Sequence, residues 1–220
     1  HGGVDINEIK QPNVEGVRRG LANMDKHIAN MQAFGQTVVV CLNRFADDTD
    51  EELAVVSQHC NELGVGFALN TAFGEGGKGA ETFARLVTDT IEQNPSQPLR
   101  LMYDDSDDIE TKVRKVAQQI YGADNIMLKP AAQKKLARIK ELGFEHFSVC
   151  IAKTQYSFSE DAKAYGMPTG FDITIRDFVI NAGAEMIVAI AGEIMRMPGL
   201  PKQPQAQRID VINGVIEGLS

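Results

Sequence analysis

Apolar residues recur at spacings of three and four near the start of the chain, at Val14, Val17, Leu21, Met24, Ile28, Met31 and Phe34. This spacing predicts an amphipathic helix ending near Gly35. The pattern then changes. "TVVVCLNRF" is a continuous β-branched run and predicts a strand buried on both faces. "DDTDEELAVVSQHCNELG" opens with Asp and Thr as cap candidates and predicts a helix stopped by Gly64. "VGFALNTAF" predicts a second strand, and "AETFARLVTDTIEQN" a further helix halted by Pro95. Four glycines, Gly74, Gly76, Gly77 and Gly79, separate these last two. The order is helix, strand, helix, strand, glycine-rich loop, helix. Such alternation builds an α/β fold around a doubly wound parallel sheet.

The second half reads differently. "NPSQPLRLMYDDSDD" is the clearest linker, so the expected division is a parallel-sheet region at 1–98 and one or two smaller α/β units at 99–220. "DDIETKVRKVAQQIYGADN" predicts a helix with an acidic first turn, favourable against the helix dipole. "KPAAQKKLARIKELGFEHF" predicts another, with Pro130 near its start. "FSVCIAKTQYSFS" predicts a strand running into a polar loop. "GFDITIRDFVINAGAEMIVAIAGEIMRMPGLP" alternates apolar and polar residues and then turns wholly apolar. It predicts two antiparallel strands followed by a proline-rich loop.

Composition narrows the function classes. A net charge of −8 over 220 residues argues against sequence-independent nucleic-acid binding, which needs cations to neutralise phosphates. Cys41, Cys60 and Cys150 are too few and scattered for a disulfide framework, and read as reduced thiols of a cytoplasmic protein. The apolar segment from Ala182 to Met197 contains Glu185 and Glu193, so it reads as a buried element and not as a membrane span. The chain opens at His1 without an initiator Met, which reads as a processed product or a fragment.

The candidate chemistry gathers past the two predicted parallel strands, where such sheets bind ligands. Asn43 and Phe45 follow the first strand; Phe73 and the glycines follow the second. Two aromatic faces there could sandwich a flat heterocycle, with Gly76 and Gly77 letting backbone approach the ring. The alternative is that each Phe plugs the end of the sheet. Gly74, Gly76 and Gly79 also fit G-x-G-x-x-G, with Asp104 and Asp105 at a suitable distance for a ribose-binding acid, which keeps a nicotinamide-dependent oxidoreductase open. This unit does not open the sheet, as that fingerprint usually does. A P-loop fails, because Gly77-Lys78 is followed by Gly79 where Ser or Thr is required. His1, His27, His59 and His146 show no ligand spacing, and Asp104, Asp105, Asp107 and Asp108 read as helix-capping residues. Lys153 and Tyr156 could form a polar site at a strand end or serve structure alone. A non-catalytic binding or assembly module is the remaining alternative.

Several segments together resemble one family. "VEGVRRGLANMDKHIANMQAFGQTVVVCLNRFADDTDEEL", the opening "HGG", "FGEGGKGA", "CIAKTQYSFS", "PTGFDITIRDF" and "AGEIMRMPGLPKQPQA" are similar to stretches of formate–tetrahydrofolate ligases, and the resemblance runs over essentially the whole chain. It implies an enzyme that uses ATP to phosphorylate formate and transfers the formyl group to N10 of tetrahydrofolate. It also implies a P-loop-type nucleotide domain with smaller α/β domains, and a cytoplasmic homotetramer needing Mg²⁺ and a monovalent cation. By the same resemblance, Phe45 and Phe73 grip the pterin, Gly76 and Gly77 give ring access, and Asn43 offers polar contacts. Many members carry Trp where this chain has Phe73. Lys78 is left either solvated or directed at the glutamate tail of folate. The family's P-loop lysine and formate-contacting residues lie upstream of "HGG". The resemblance therefore implies a C-terminal portion with no catalytic residues of its own, inactive alone.

Overall fold

The computed structural model describes residues 1–194 and 201–218. The elements begin with α1 (Val14–Ala33), β1 (Val39–Asn43), α2 (Asp50–Glu62) and β2 (Gly66–Asn70). A short α3 (Ala72–Glu75) leads into a 3₁₀ turn at Gly76–Ala80 and then α4 (Glu81–Gln93). Next come α5 (Ile109–Val116), a π-helical turn at Ala117–Tyr121, β3 (Asn125–Leu128), α6 (Pro130–Glu141) and β4 (Ser148–Ala152). The chain continues through β5 (Asp172–Asn181), β6 (Met186–Ala191), β7 (Asp210–Ile212) and β8 (Val215–Glu217). It divides into two compact units. One comprises Gly2–Arg19, Gly35–Pro98 and Arg196–Ser220; the other comprises His1, Gly20–Phe34 and Leu99–Met195.

In the first unit β1 and β2 pair in parallel, from Val39 opposite Gly66 to Asn43 opposite Asn70. Helices α2 and α4 pack on them. Leu53, Val56 and Cys60 from α2 are buried, as are Val65 and Ala68. The expectation that β1 is buried on both faces is not met: Val39 to Leu42 are half-buried. Two strands leave two unpaired edges, and the helices here cover only part of the ribbon. Helix α2 starts with a capping box. Thr49 accepts from Glu52 N through its side chain, and the Glu52 carboxylate accepts from Thr49 N at 3.0 Å.

The Glu52 carboxylate also accepts from the backbone N–H of Asn13 at 2.7 Å, and these bonds hold it below the usual glutamate range. The stabilisation from this depressed group is complete above the unfolded glutamate value of about 4.3 and is lost as pH falls through the lower folded value. Thr49→Ala is expected to cost about 1 kcal/mol at neutral pH in denaturant unfolding. Glu52→Gln is expected to flatten the acid limb of the stability profile; an unchanged acid limb would show that the box contributes nothing.

The second unit holds a four-stranded mixed sheet in the order β3-β5-β6-β4. β3 runs parallel to β5 and β4 to β6, while β5 and β6 form the expected antiparallel pair. Ile173 and Ile175 of β5 face the core, yet so does Phe178, three residues on. A bulge between Ile175 and Asp177 accounts for the change of parity. Against this face pack Ile109, Val113 and Ala117 from α5 and its extension, and Ala132 and Ile139 from α6. Asp108 caps α5, accepting from Thr111 N at 2.8 Å. The helix expected to run smoothly to Tyr121 widens into a π turn and stops at Gly122, φ +75°. β3 is an element that the sequence pattern does not announce. The proline-rich loop expected after β6 falls partly on residues 195–200, outside the described residues.

Candidate functional site

The first unit brings the predicted residues to one end of its sheet. Asn43 closes β1 and pairs with Asn70, which closes β2. The Asn70 carboxamide donates to Asn43 Oδ1 at 2.9 Å and accepts from Ala72 N at 3.1 Å. Arg44 N donates to Asn70 O at 3.0 Å, so the two chains stay tied one residue past the strands. Parallel neighbours lie about 4.8 Å apart. The segments carrying Phe45 and Phe73 therefore leave the sheet side by side.

Both rings face outwards. The Phe45 backbone is fixed in a tight turn: its N–H donates to Asp48 Oδ2 at 2.7 Å and its carbonyl accepts from Asp48 N at 3.2 Å. Arg44 pairs with Asp50 at 2.9 Å just beyond. Phe45 is left 71% exposed, and Phe73, within α3, 72% exposed. Neither plugs the sheet. Rings this exposed gain little from folding and are free to meet a ligand.

The glycines separate into two kinds. Gly76 adopts φ +60°, ψ −146°, a conformation open essentially to glycine alone. A Cβ on Gly79 would lie 2.5 Å from the Thr71 carbonyl carbon, and Thr71 N donates to Gly79 O at 3.1 Å. These two serve the turn itself. A Cβ on Gly74 or on Gly77 would meet nothing within 4 Å, so internal packing does not require glycine there. They leave bare backbone next to an exposed ring. Lys78 is exposed and, among the described residues, forms no ion pair.

The dinucleotide reading fits poorly. Its first glycine should make a tight turn directly after the strand, but β2 ends at Asn70 and Gly74 sits inside α3. Among the described residues no group of three His, Cys, Asp or Glu could hold a metal ion. Lys153, a candidate for a polar site, is buried and used internally. Its ammonium donates to Thr154 O at 3.0 Å and Ser159 O at 2.9 Å and lies 5.6 Å from the Tyr121 ring centroid. Burial pushes its pKa down, with Glu160 acting the other way. Tyr156 is half-buried. Sequence reasoning missed Asn70 and Thr71, whose side chains tie the strand ends and the glycine turn. Thr71 Oγ1 donates to Glu75 Oε2 at 2.5 Å. Their only signal was their position at the end of β2. A groove of about 530 Å³ lies in the second unit between α5, β3 and α6, and is lined by none of Asn43, Phe45, Phe73, Gly76 and Gly77.

Comparison with known proteins bears on this geometry. The family model described as Formate--tetrahydrofolate ligase matches residues 1–220. A formate–tetrahydrofolate ligase of Parabacteroides distasonis is 61% identical over 220 residues, one of Bacteroides thetaiotaomicron 58% over 220, and one of Campylobacter concisus 46% over 222. Each alignment covers 100% of this chain and 40% of the relative. The chain thus spans about two fifths of the length of the curated relatives it matches. On a match that runs from the first residue to the last, the chain belongs to the formate–tetrahydrofolate ligase family.

Proposed function

We propose that this chain is the folate-binding portion of an ATP-dependent ligase that forms 10-formyltetrahydrofolate from formate and tetrahydrofolate through formyl phosphate. One observation carries the reading. Two largely exposed phenyl rings stand past the carboxyl ends of hydrogen-bonded parallel strands, beside glycines that nothing in the unit requires. Phe45 and Phe73 would take the two faces of the pterin, and the backbone at Gly76 and Gly77 would let its edge approach. Asn43, already tied to Asn70, would present a fixed carboxamide at the floor. Such a clamp contributes by binding and orientation, holding the accepting nitrogen where a formyl donor can meet it.

The family implies ATP, Mg²⁺ and a monovalent cation for the whole enzyme. The sequence contains no G-x-x-x-x-G-K-[ST] loop, and the described residues contain no metal cluster. The groups that handle ATP and formate are proposed to lie in the part of the relatives' length that this chain does not span. The chain alone is proposed to be inactive, and the intact ligase a cytoplasmic homotetramer. Residues 1–98 are proposed as the C-terminal part of the nucleotide- and folate-binding domain, and 99–220 as the smaller C-terminal region.

Phe45→Ala in the intact ligase tests the reading. The tetrahydrofolate KM is expected to rise roughly tenfold, the loss of about 1.4 kcal/mol of ring contact, with the ATP and formate KM values unchanged. An unchanged tetrahydrofolate KM would contradict it.

A further inference from the structure

The carboxyl-terminal hairpin packs on the glycine turn. β7 and β8 pair antiparallel through Val211 opposite Ile216 and Ile212 opposite Val215. Asn213 and Gly214, at φ +53° and +81°, form the connecting turn, the left-handed pair that favours two-residue hairpins. Val211, Ile212 and Val215 are exposed; from Asp210 to Glu217, Ile216 is the one residue that is partly buried. Its Cδ1 lies 3.5 Å from the point a Gly76 Cβ would occupy, and β8 contacts α3. A hairpin this short is marginal in water without a surface to rest on. Gln205 Nε2 donates to Gly218 O at 2.7 Å, a bond within the carboxyl-terminal segment itself.

The turn needs such support. Gly76 holds a conformation that most residues cannot adopt, and Gly74 and Gly77 add backbone freedom on either side of it. The ends of the turn are tied by Thr71 N, which donates to Gly79 O, and an apolar neighbour narrows further the conformations that its glycines sample. Ile216 Cδ1 stands against the space that a Gly76 side chain would fill, at the residue where the chain passes from α3 into the 3₁₀ turn.

We propose that the β7–β8 hairpin braces the glycine turn, with Ile216 as a positioning residue that sets tetrahydrofolate affinity through the Gly74–Gly77 backbone. This rests on the pterin-clamp reading of the same turn. Ile216 itself touches no substrate. It keeps the turn in the one arrangement in which Phe73 and the bare backbone face the same space.

The test uses the intact ligase carrying Ile216→Ala, with Ile216→Val as the conservative control and deletion of residues 209–220 as a second variant. Amide hydrogen exchange without ligand is read at residues 74–80, and steady-state kinetics for all three substrates. Ile216→Ala is expected to speed exchange in the turn roughly tenfold as local opening becomes easier. It should also raise the tetrahydrofolate KM roughly fivefold, since apparent affinity falls with the competent fraction. The ATP and formate KM values should not move, and Ile216→Val should restore most of both effects. Unchanged exchange in Ile216→Ala and in the deletion overturns the brace. Faster exchange with an unchanged tetrahydrofolate KM overturns the positioning role if Phe45→Ala still raises that KM. If Phe45→Ala leaves the KM unchanged as well, the pterin clamp has failed and the brace falls with it as a determinant of folate affinity.

Discussion

Phe73→Ala in the intact ligase is expected to raise the tetrahydrofolate KM by roughly 10- to 150-fold. Burying one phenyl face against a ligand contributes about 1.5–3 kcal/mol, stacking included, and each 1.4 kcal/mol is tenfold in affinity. Few contacts in the folded unit are lost with the ring, since it is 72% exposed and sits in a four-residue helix. Folded stability should therefore change little, and the ATP and formate KM values should hold. Phe73→Trp should move the KM the other way by a few-fold, because an indole offers a larger face. This chain has no Trp, so the indole would be the sole one in its 220 residues, and the fluorescence that Phe73→Trp adds over the parent ligase should be quenched on folate binding. A Phe73→Ala enzyme with normal folate kinetics would remove Phe73 from the site.

Lys112→Met is expected to lower stability by about 3 kcal/mol without touching ligand kinetics. Lys112 is fully buried in α5, and its ammonium donates to Glu145 O at 3.0 Å and Phe147 O at 3.1 Å. It also lies 5.7 Å from the centroid of the Tyr103 ring. Met fills a similar volume but leaves both carbonyls unpaired, at about 1–3 kcal/mol each. Denaturant unfolding measures this as a shift of the midpoint at constant slope. A midpoint that stays in place would show that water reaches the two carbonyls.

Much of the fold was written in spacing. The three-and-four repeat of α1 and the capping Thr49 of α2 were legible because they are local. So was the parallel pair, because β-branched runs alternating with helices have few other arrangements. The burial of β1 was not legible, since a β-branched run reports what a strand prefers and not how many neighbours cover it. Four residues of β3, set between two helix signals, carry too little pattern to stand out. Phe178 reached the core only through a bulge, which no alternation rule anticipates. Lys112 looked like one more charge on an amphipathic helix; its partners lie in the loop before β4, over thirty residues away.

The candidate site follows the same division. Phe45 and Phe73 stood out as candidates from their places after two strands, and the structure sets them past adjacent strand ends. The work of each glycine was not identifiable. Gly79 is explained by the Thr71 backbone and Gly76 by its dihedral angles, which leaves Gly74 and Gly77 as the pair with no internal reason. Ile216 lies some 140 residues from Gly76, and no periodicity links them.

The most direct measurement is a crystal structure of the intact ligase with a stable tetrahydrofolate analogue bound. The pterin should lie between the Phe45 and Phe73 rings, within van der Waals contact of both faces, with the Gly76–Gly77 backbone at its edge. A pterin bound elsewhere, with both rings still in solvent, would contradict the clamp.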